Sequence, residues 1–422
     1  MNEDLFEQLR TEVPGPRTRE LARTLQRFES RNVTYVGEKF PVFWENGQGA
    51  TVTDVDGNRY IDLTAAFGVA NTGHSNPYVA EAIHDQAVRL MHAMGDVHPT
   101  ETKTALLQKL AEITPGDLSK TFLASTGAEA VEAAMKTAML ATGKTAFAAY
   151  RNAYHGLSLG ALAISGIERF GAPFTGALRA NAVLLDYPPA GTLESIEKAL
   201  AQRTDIAAVF IEPMQGRGGC IAPPKGYLPA LRDLCTNAGV LLVFDEIYTG
   251  FGRTGMMFAC EHENVVPDIM CIGKAMANGF PISAAIARAE IMDAWPASAG
   301  EALHTSTYLG NPMGCAAALA NINELRRMRL PENAQRLGAV LGSRLDRLRT
   351  TKKLRDVRGR GLMWGIQLDS AAHAERVVHE ALRKGVILLQ AGPQGDVLSL
   401  TPPLVIEQQQ LFRAIDLIEE LL

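Results

Sequence analysis

Three residues capable of chemistry follow apolar runs in this 422-residue chain. Glu212 follows Ile206-Ala207-Ala208-Val209-Phe210-Ile211, Asp245 follows Gly239-Val240-Leu241-Leu242-Val243-Phe244, and Lys274 follows Asp268-Ile269-Met270-Cys271-Ile272-Gly273. The intervals are 33 residues from Glu212 to Asp245 and 29 from Asp245 to Lys274. Each is about the length of one strand-helix-strand unit. The spacing therefore predicts parallel strands that bring two carboxylates and an amine to the carboxyl edge of one sheet, where open α/β folds bind ligands.

A lysine and an aspartate at that edge suit pyridoxal 5'-phosphate. The cofactor needs a lysine amine for a Schiff base and a carboxylate to keep its ring nitrogen protonated, so that the ring can act as an electron sink. Its phosphate needs free backbone N–H groups at a helix N-terminus. The strand-like Lys120-Thr121-Phe122-Leu123-Ala124 leads into Ser125-Thr126-Gly127-Ala128-Glu129-Ala130, a capped turn that opens an Ala-rich helix. Thr126, Gly127 and Ala128 are the phosphate candidates.

The turn at 125–130, Tyr154-His155-Gly156, the run from Phe244 through Gly255, Gly273-Lys274-Ala275 and Thr307-Tyr308-Leu309-Gly310-Asn311-Pro312 resemble, in kind and order, the class III (ω-) aminotransferases. The resemblance runs from about Phe40 to the C-terminus. It implies the α/β architecture of PLP-dependent transferase fold type I, with a large doubly wound, mainly parallel sheet domain and a small α+β domain. It also implies a homodimer with active sites at the subunit boundary. Tyr154 is then expected to stack on the pyridine ring, Thr307 to reach the partner's phosphate, and Tyr248 to stand where the family commonly has Gln beside the 3'-oxygen. Glu212 either orients its loop or touches the cofactor, and His155 reads as a core histidine without assigned chemistry.

The expected reaction moves an amino group from an amine or ω-amino acid to a keto acid, with Lys274 as Schiff-base lysine and as general base and acid. A racemase, epimerase or aminomutase on the same scaffold is the alternative. A purely binding role is disfavoured because Lys274 and Asp245 are both present. Family members acting on acetylornithine or 4-aminobutyrate typically carry Arg, Glu and Arg where this chain has Leu157, Arg217 and Ser399. The usual carboxylate grip is therefore missing, and Arg217 is either a relocated clamp or a solvated loop charge. Phe67 occupies a substrate-facing position by the same alignment and makes the pocket more apolar.

Composition sets outer limits. At 47% hydrophobic residues the chain can bury a large core, and 41 basic against 46 acidic residues give a net charge of −5, which argues against a broad nucleic-acid footprint. The start, Asn2-Glu3-Asp4, is acidic rather than a secretory leader, and no long apolar run suggests a membrane span. Cys220, Cys235, Cys260, Cys271 and Cys315 are too scattered for a zinc or redox motif, so no metal is expected and a cytoplasmic location is. Two motifs are weak. Gly250-Phe251-Gly252-Arg253-Thr254-Gly255 fits a dinucleotide fingerprint but lacks a following periodic helix, and Arg358-Gly359-Arg360-Gly361 is too short for an RNA-binding segment.

The pattern predicts an N-terminal segment over 1–66, a large cofactor-binding domain over 67–310 and a small domain over 311–422. Within these it places a helix at Thr18–Ser30 and a small antiparallel sheet over Phe43–Leu63 with turns at 45–47 and 56–58. A long helix from Asn311 is expected to lead to the basic stretch 344–360, with short strands at 362–368 and 386–389.

Overall fold

The structure is a computed structural model and describes residues 5–37, 41–178, 181–351 and 354–422. The acidic start at Asn2-Glu3-Asp4, Phe40, and Lys352 and Lys353 of the basic stretch lie outside these residues. The strands are β1 (Trp44–Gln48), β2 (Thr51–Asp54), β3 (Arg59–Asp62), β4 (Leu118–Ala124), β5 (Ala146–Tyr150), β6 (Asn181–Leu185), β7 (Ile206–Ile211), β8 (Leu241–Asp245), β9 (Ile269–Ile272), β10 (Ser283–Arg288), β11 (Asp356–Arg360), β12 (Met363–Gln367), β13 (Val386–Ile387), β14 (Leu389–Ala391) and β15 (Val397–Leu400).

The large sheet has the order β4-β10-β9-β8-β7-β5-β6. β10 runs antiparallel to both of its neighbours, whereas β9, β8, β7, β5 and β6 pair in parallel. β4 therefore points the same way as the parallel set. β7 is buried throughout. Its Ile206, Val209 and Ile211 belong to one hydrophobic cluster and its Ala207, Ala208 and Phe210 to another. Both faces are thus covered, which is why these strands read as continuous apolar runs rather than alternating ones.

The second half of the chain returns to the first. β13 pairs in parallel with β3, extending the sheet β1-β2-β3, while β14 joins β11, β12 and β15 in a third sheet. The single strand expected at 386–389 is therefore split between two sheets. Other expectations shift for local reasons. The N-terminal helix is Pro16–Phe28, with Pro at its first turn. Asn46 and Gly47 lie inside β1, and the turn falls at Gly49, whose φ of 60° suits glycine. The long helix from Asn311 is two helices, Pro312–Arg327 and Leu330–Thr351, interrupted where Arg329 adopts a φ of 51°. No helix among the described residues is long and apolar enough to cross a membrane.

Arg253, part of the run from Phe244 through Gly255 and of the weak dinucleotide fingerprint, is fully buried. Its Nη1 donates to the carbonyls of Leu362 (2.9 Å) and Pro402 (2.6 Å), and its Nη2 to Asn71 Oδ1. One guanidinium thus ties three segments far apart in sequence. Burial lowers its pKa to about 10, which leaves it charged at neutral pH. Arg253→Ala strands these acceptors in a dry interior and is expected to cost about 3 kcal/mol or more. Chemical denaturation tests this, and a wild-type midpoint would mean that water replaces the guanidinium.

Candidate active site

Because β4, β5, β7, β8 and β9 share a direction, the segments that follow them leave from one edge of the sheet. Asp245, the last residue of β8, is 4% exposed. Its Oδ1 accepts from the Ile247 N–H (3.0 Å), and its Oδ2 lies 2.7 Å from His155 Nδ1. His155 arrives on the loop after β5, and its backbone N–H donates to Ser165 Oγ (3.0 Å). Burial alone would lower the imidazole pKa. The hydrogen bond to Asp245 and the charges of Asp245 and Glu212 outweigh it, so the shift is upward. His155, expected from sequence to be a core histidine without assigned chemistry, here fixes the orientation of the Asp245 carboxylate.

Glu212, immediately after β7, accepts the Tyr154 N–H on Oε1 (2.8 Å) and the Gly216 N–H on Oε2 (2.9 Å). Of the two roles left open for it, loop orientation matches these contacts. Burial pushes its carboxyl up to about 7; His155 opposes that shift and Asp245 adds to it.

Lys274 follows β9 with a φ of 42°, a left-handed conformation that β-carbon-bearing residues seldom adopt. Its Nζ sits 4.3 Å from the Tyr248 ring centroid. Burial lowers the amine's pKa, the charges of Asp245 and Glu212 counter this, and Arg217 lowers it further. The Tyr248 ring is held in a slot. A β-carbon on Gly68 would fall 2.3 Å from its Cε2, and one on Gly216 would fall 2.2 Å from its Cδ1. Its hydroxyl lies 3.1 Å from Thr401 Oγ1, which itself donates to the Thr64 carbonyl (3.3 Å). The phenol hydroxyl is thus within hydrogen-bond distance of Thr401, with either oxygen able to donate. It is the ring of Tyr248, rather than its hydroxyl, that meets Lys274.

The turn after β4 becomes the N-terminus of the helix Gly127–Thr142. Thr126 Oγ1 accepts from the Glu129 N–H, and Glu129 Oε2 accepts the N–H groups of Ser125 and Thr126. This capping box leaves the N–H groups of Gly127 and Ala128 without an intrahelical partner. Ile247 connects the turn to the rest of the site, since a β-carbon on Gly127 would lie 3.0 Å from Ile247 Cδ1 and one on Gly273 would lie 3.6 Å from its Cγ2. A depressed lysine amine, a buried carboxylate with spare lone pairs and open N–H groups at a helix start form the donor set that pyridoxal phosphate requires.

A cavity of about 370 Å³ is lined by Lys274, Asp245, Tyr154, Tyr248, Phe67 and Arg217, among others. Phe67 is 59% exposed and belongs to a run of left-handed residues, Ala65, Ala66, Phe67 and Gly68, with φ of 47°, 49°, 66° and 75°. The Arg217 guanidinium lies over the Tyr154 ring, 5.2 Å from its centroid. Ser399 lines the same cavity, and Leu157 is exposed. Thr307 is exposed and is not among the residues lining this cavity.

The lowered pKa of Lys274 has a measurable sign. Between that pKa and the ordinary lysine value of 10.5 the folded cofactor-free chain binds fewer protons here than the unfolded chain, so this residue's contribution to stability rises with pH across the interval. Lys274→Met should flatten the pH dependence of the cofactor-free protein's melting temperature on the alkaline side. An unchanged profile would refute a buried, depressed amine.

The family model described as aminotransferase class-III matches residues 33–422. The chain is 38% identical to the 4-aminobutyrate aminotransferase of Mycobacterium leprae (strain TN), with 98% of each chain covered. It is 39% identical to the acetylornithine aminotransferase of Methanopyrus kandleri, covering 89% of this chain and 93% of that one. The crystal structure of the ornithine aminotransferase from Toxoplasma gondii ME49 matches with a TM-score of 0.88 at 31% identity, over 98% of this chain and 95% of that chain. A lysine, a carboxylate and an anion-ready turn on one sheet edge thus coincide with near full-length similarity: the chain belongs to the class III aminotransferases, transaminases that use pyridoxal 5'-phosphate.

Proposed function

We propose that the protein transfers an amino group from an amine or ω-amino acid to a keto acid, with Lys274 as its Schiff-base lysine and proton carrier. The observation that carries this reading is the arrival of Lys274 and the His155-oriented Asp245 in one cavity beside the open N–H groups of Gly127 and Ala128. When bound, pyridoxal phosphate supplies an electron sink for the carbon that bears the amine. The Lys274 amine, its proton affinity reduced by burial, removes the proton from that carbon and returns one to the keto carbon in the reverse half-reaction. Asp245 would hold the ring nitrogen protonated, Tyr154 would cover the ring face, and Thr126, Gly127 and Ala128 would receive the phosphate. Tyr248 confines the lysine.

We further assign Arg217 and Phe67 to the substrate side. By the family pattern Leu157 and Ser399 stand where arginines would grip a substrate carboxylate, so the carboxylate must find its cation elsewhere, and Arg217 is the cation on the cavity wall besides Lys274. The described cysteines are free and buried, which fits a reducing compartment such as the cytoplasm. Residues 67–310 are read as the large domain, with 1–66 and 311–422 flanking it; the pairing of β13 with β3 supports joining the two flanks.

The homodimer is part of the same proposal. Exposed Met91, Val97, Leu303 and Tyr308 surround a loop pair joined by the Asn311 Nδ2 bond to the Met91 carbonyl (3.2 Å) and the Thr305–Asp96 bond (2.9 Å). An apolar face of this kind marks an interaction surface, and it carries Thr307 toward a second copy. Sedimentation of the cofactor-saturated enzyme should give a dimer, and a fully active monomer would defeat the assignment.

Borohydride reduction of the holoenzyme should attach the cofactor to the peptide containing Lys274, and Lys274→Ala should abolish turnover. Asp245→Ala should slow the reaction by at least about a hundredfold, the low end of what a positioned acid-base or electrostatic group contributes. Label on another lysine, or wild-type rates in Asp245→Ala, would reject these roles.

A further inference from the structure

The cavity at Lys274 shares Arg217, Leu389, Gln390 and Ala391 with a second, outer cavity of about 430 Å³. Arg169 lines only the outer one. Its Cζ lies 4.8 Å from the Phe170 ring centroid, and the Arg217 Cζ lies 5.8 Å from the same centroid. Phe170 meets Tyr154 edge to face at 6.0 Å and 74°. Two guanidinium groups thus lie within cation–π distance of one aromatic ring.

Among the described residues, neither arginine has an ion pair with a carboxylate. Glu375 also lines the outer cavity but pairs with neither. Like charges gathered on one ring without a counterion repel each other, and an anion in the outer cavity that both line relieves that repulsion while accepting charge-assisted hydrogen bonds. The depth of the two differs. Arg217 lines the Lys274 cavity as well as the outer one, whereas Arg169 lines only the outer one.

We propose that Arg169 and Arg217 together form a carboxylate subsite in the outer cavity, which selects substrates with amine and carboxylate at opposite ends of a chain. A short ω-amino acid reaches only Arg217, and a longer one reaches both. The inference rests on the transaminase reading above and names the substrate class within it.

The test uses the holoenzyme with ω-amino acids from 3-aminopropanoate to 6-aminohexanoate, each compared with the uncharged alkylamine of equal length. Arg169→Ala should raise the ratio of KM for the ω-amino acid to KM for the alkylamine by about tenfold for the long members and little for the shortest, with kcat retained. Arg169→Lys should recover part of the loss, and Arg217→Ala should raise the ratio across the whole series. Equal shifts for alkylamines would mean that Arg169 only packs on Phe170, and no shift would remove it from the site; either overturns the subsite. Calorimetric binding of hexanoate to wild type and Arg169→Ala reads the subsite without turnover, and tighter binding of hexylphosphonate than of hexanoate would overturn the carboxylate assignment. Failure of the wild type to turn over any amine with any keto acid, while hexanoate binding still depends on Arg169, would sink the transaminase reading alone.

Discussion

A carboxylate at the end of a buried central strand must be hydrogen-bonded, because an unpaired charge in a dry interior is prohibitive. Asp245 meets that constraint through His155 and the Ile247 N–H, and much of the site follows from it. His155 must be delivered from the loop after β5. That loop is held by Glu212 through the Tyr154 N–H, and the same Glu212 holds Gly216, the residue before Arg217. A chain of contacts from β8 to β5 to β7 therefore sets the positions of the ring-stacking candidate and the substrate-side cation together.

Strain is concentrated at the same place. Lys274 and Ala65–Gly68 are left-handed, a conformation that costs roughly 1–2 kcal/mol for each residue bearing a β-carbon. It persists because surrounding packing over-determines it. Gly68 and Gly216 close on the Tyr248 ring, Thr401 and Thr64 fix its hydroxyl, and the ring limits where the Lys274 amine can go. The reactive amine is thereby presented by a backbone that has little freedom to relax, as a group that must meet its substrate in one orientation requires.

Leu157 and Ser399 place no charge where they stand, and Ser399 lines the inner cavity beside Arg217. Ser399 and Leu157 leave the inner cavity with Arg217 as its cation, and the aromatic pair Tyr154 and Phe170 carries that charge outward to Arg169.

The sequence by itself determined what depends on local order. Apolar runs ending at Glu212, Asp245 and Lys274, at intervals of one strand-helix-strand unit, are enough to specify parallel strands and a common edge, because parallel pairing forces successive strand ends to the same side. The capping turn at Ser125–Ala130 was legible for the same reason, since its partners lie within a few residues. Only the tertiary structure decided contacts between segments distant in the chain. His155 as the partner of Asp245, the Tyr248 hydroxyl turned to Thr401, Arg253 joining Asn71 to Leu362 and Pro402, and the division of Val386–Ala391 between two sheets all depend on how separate loops pack. No spacing rule encodes them, because the energy that selects each partner is the cost of leaving a buried polar group unsatisfied, and that cost exists only once the chain has folded.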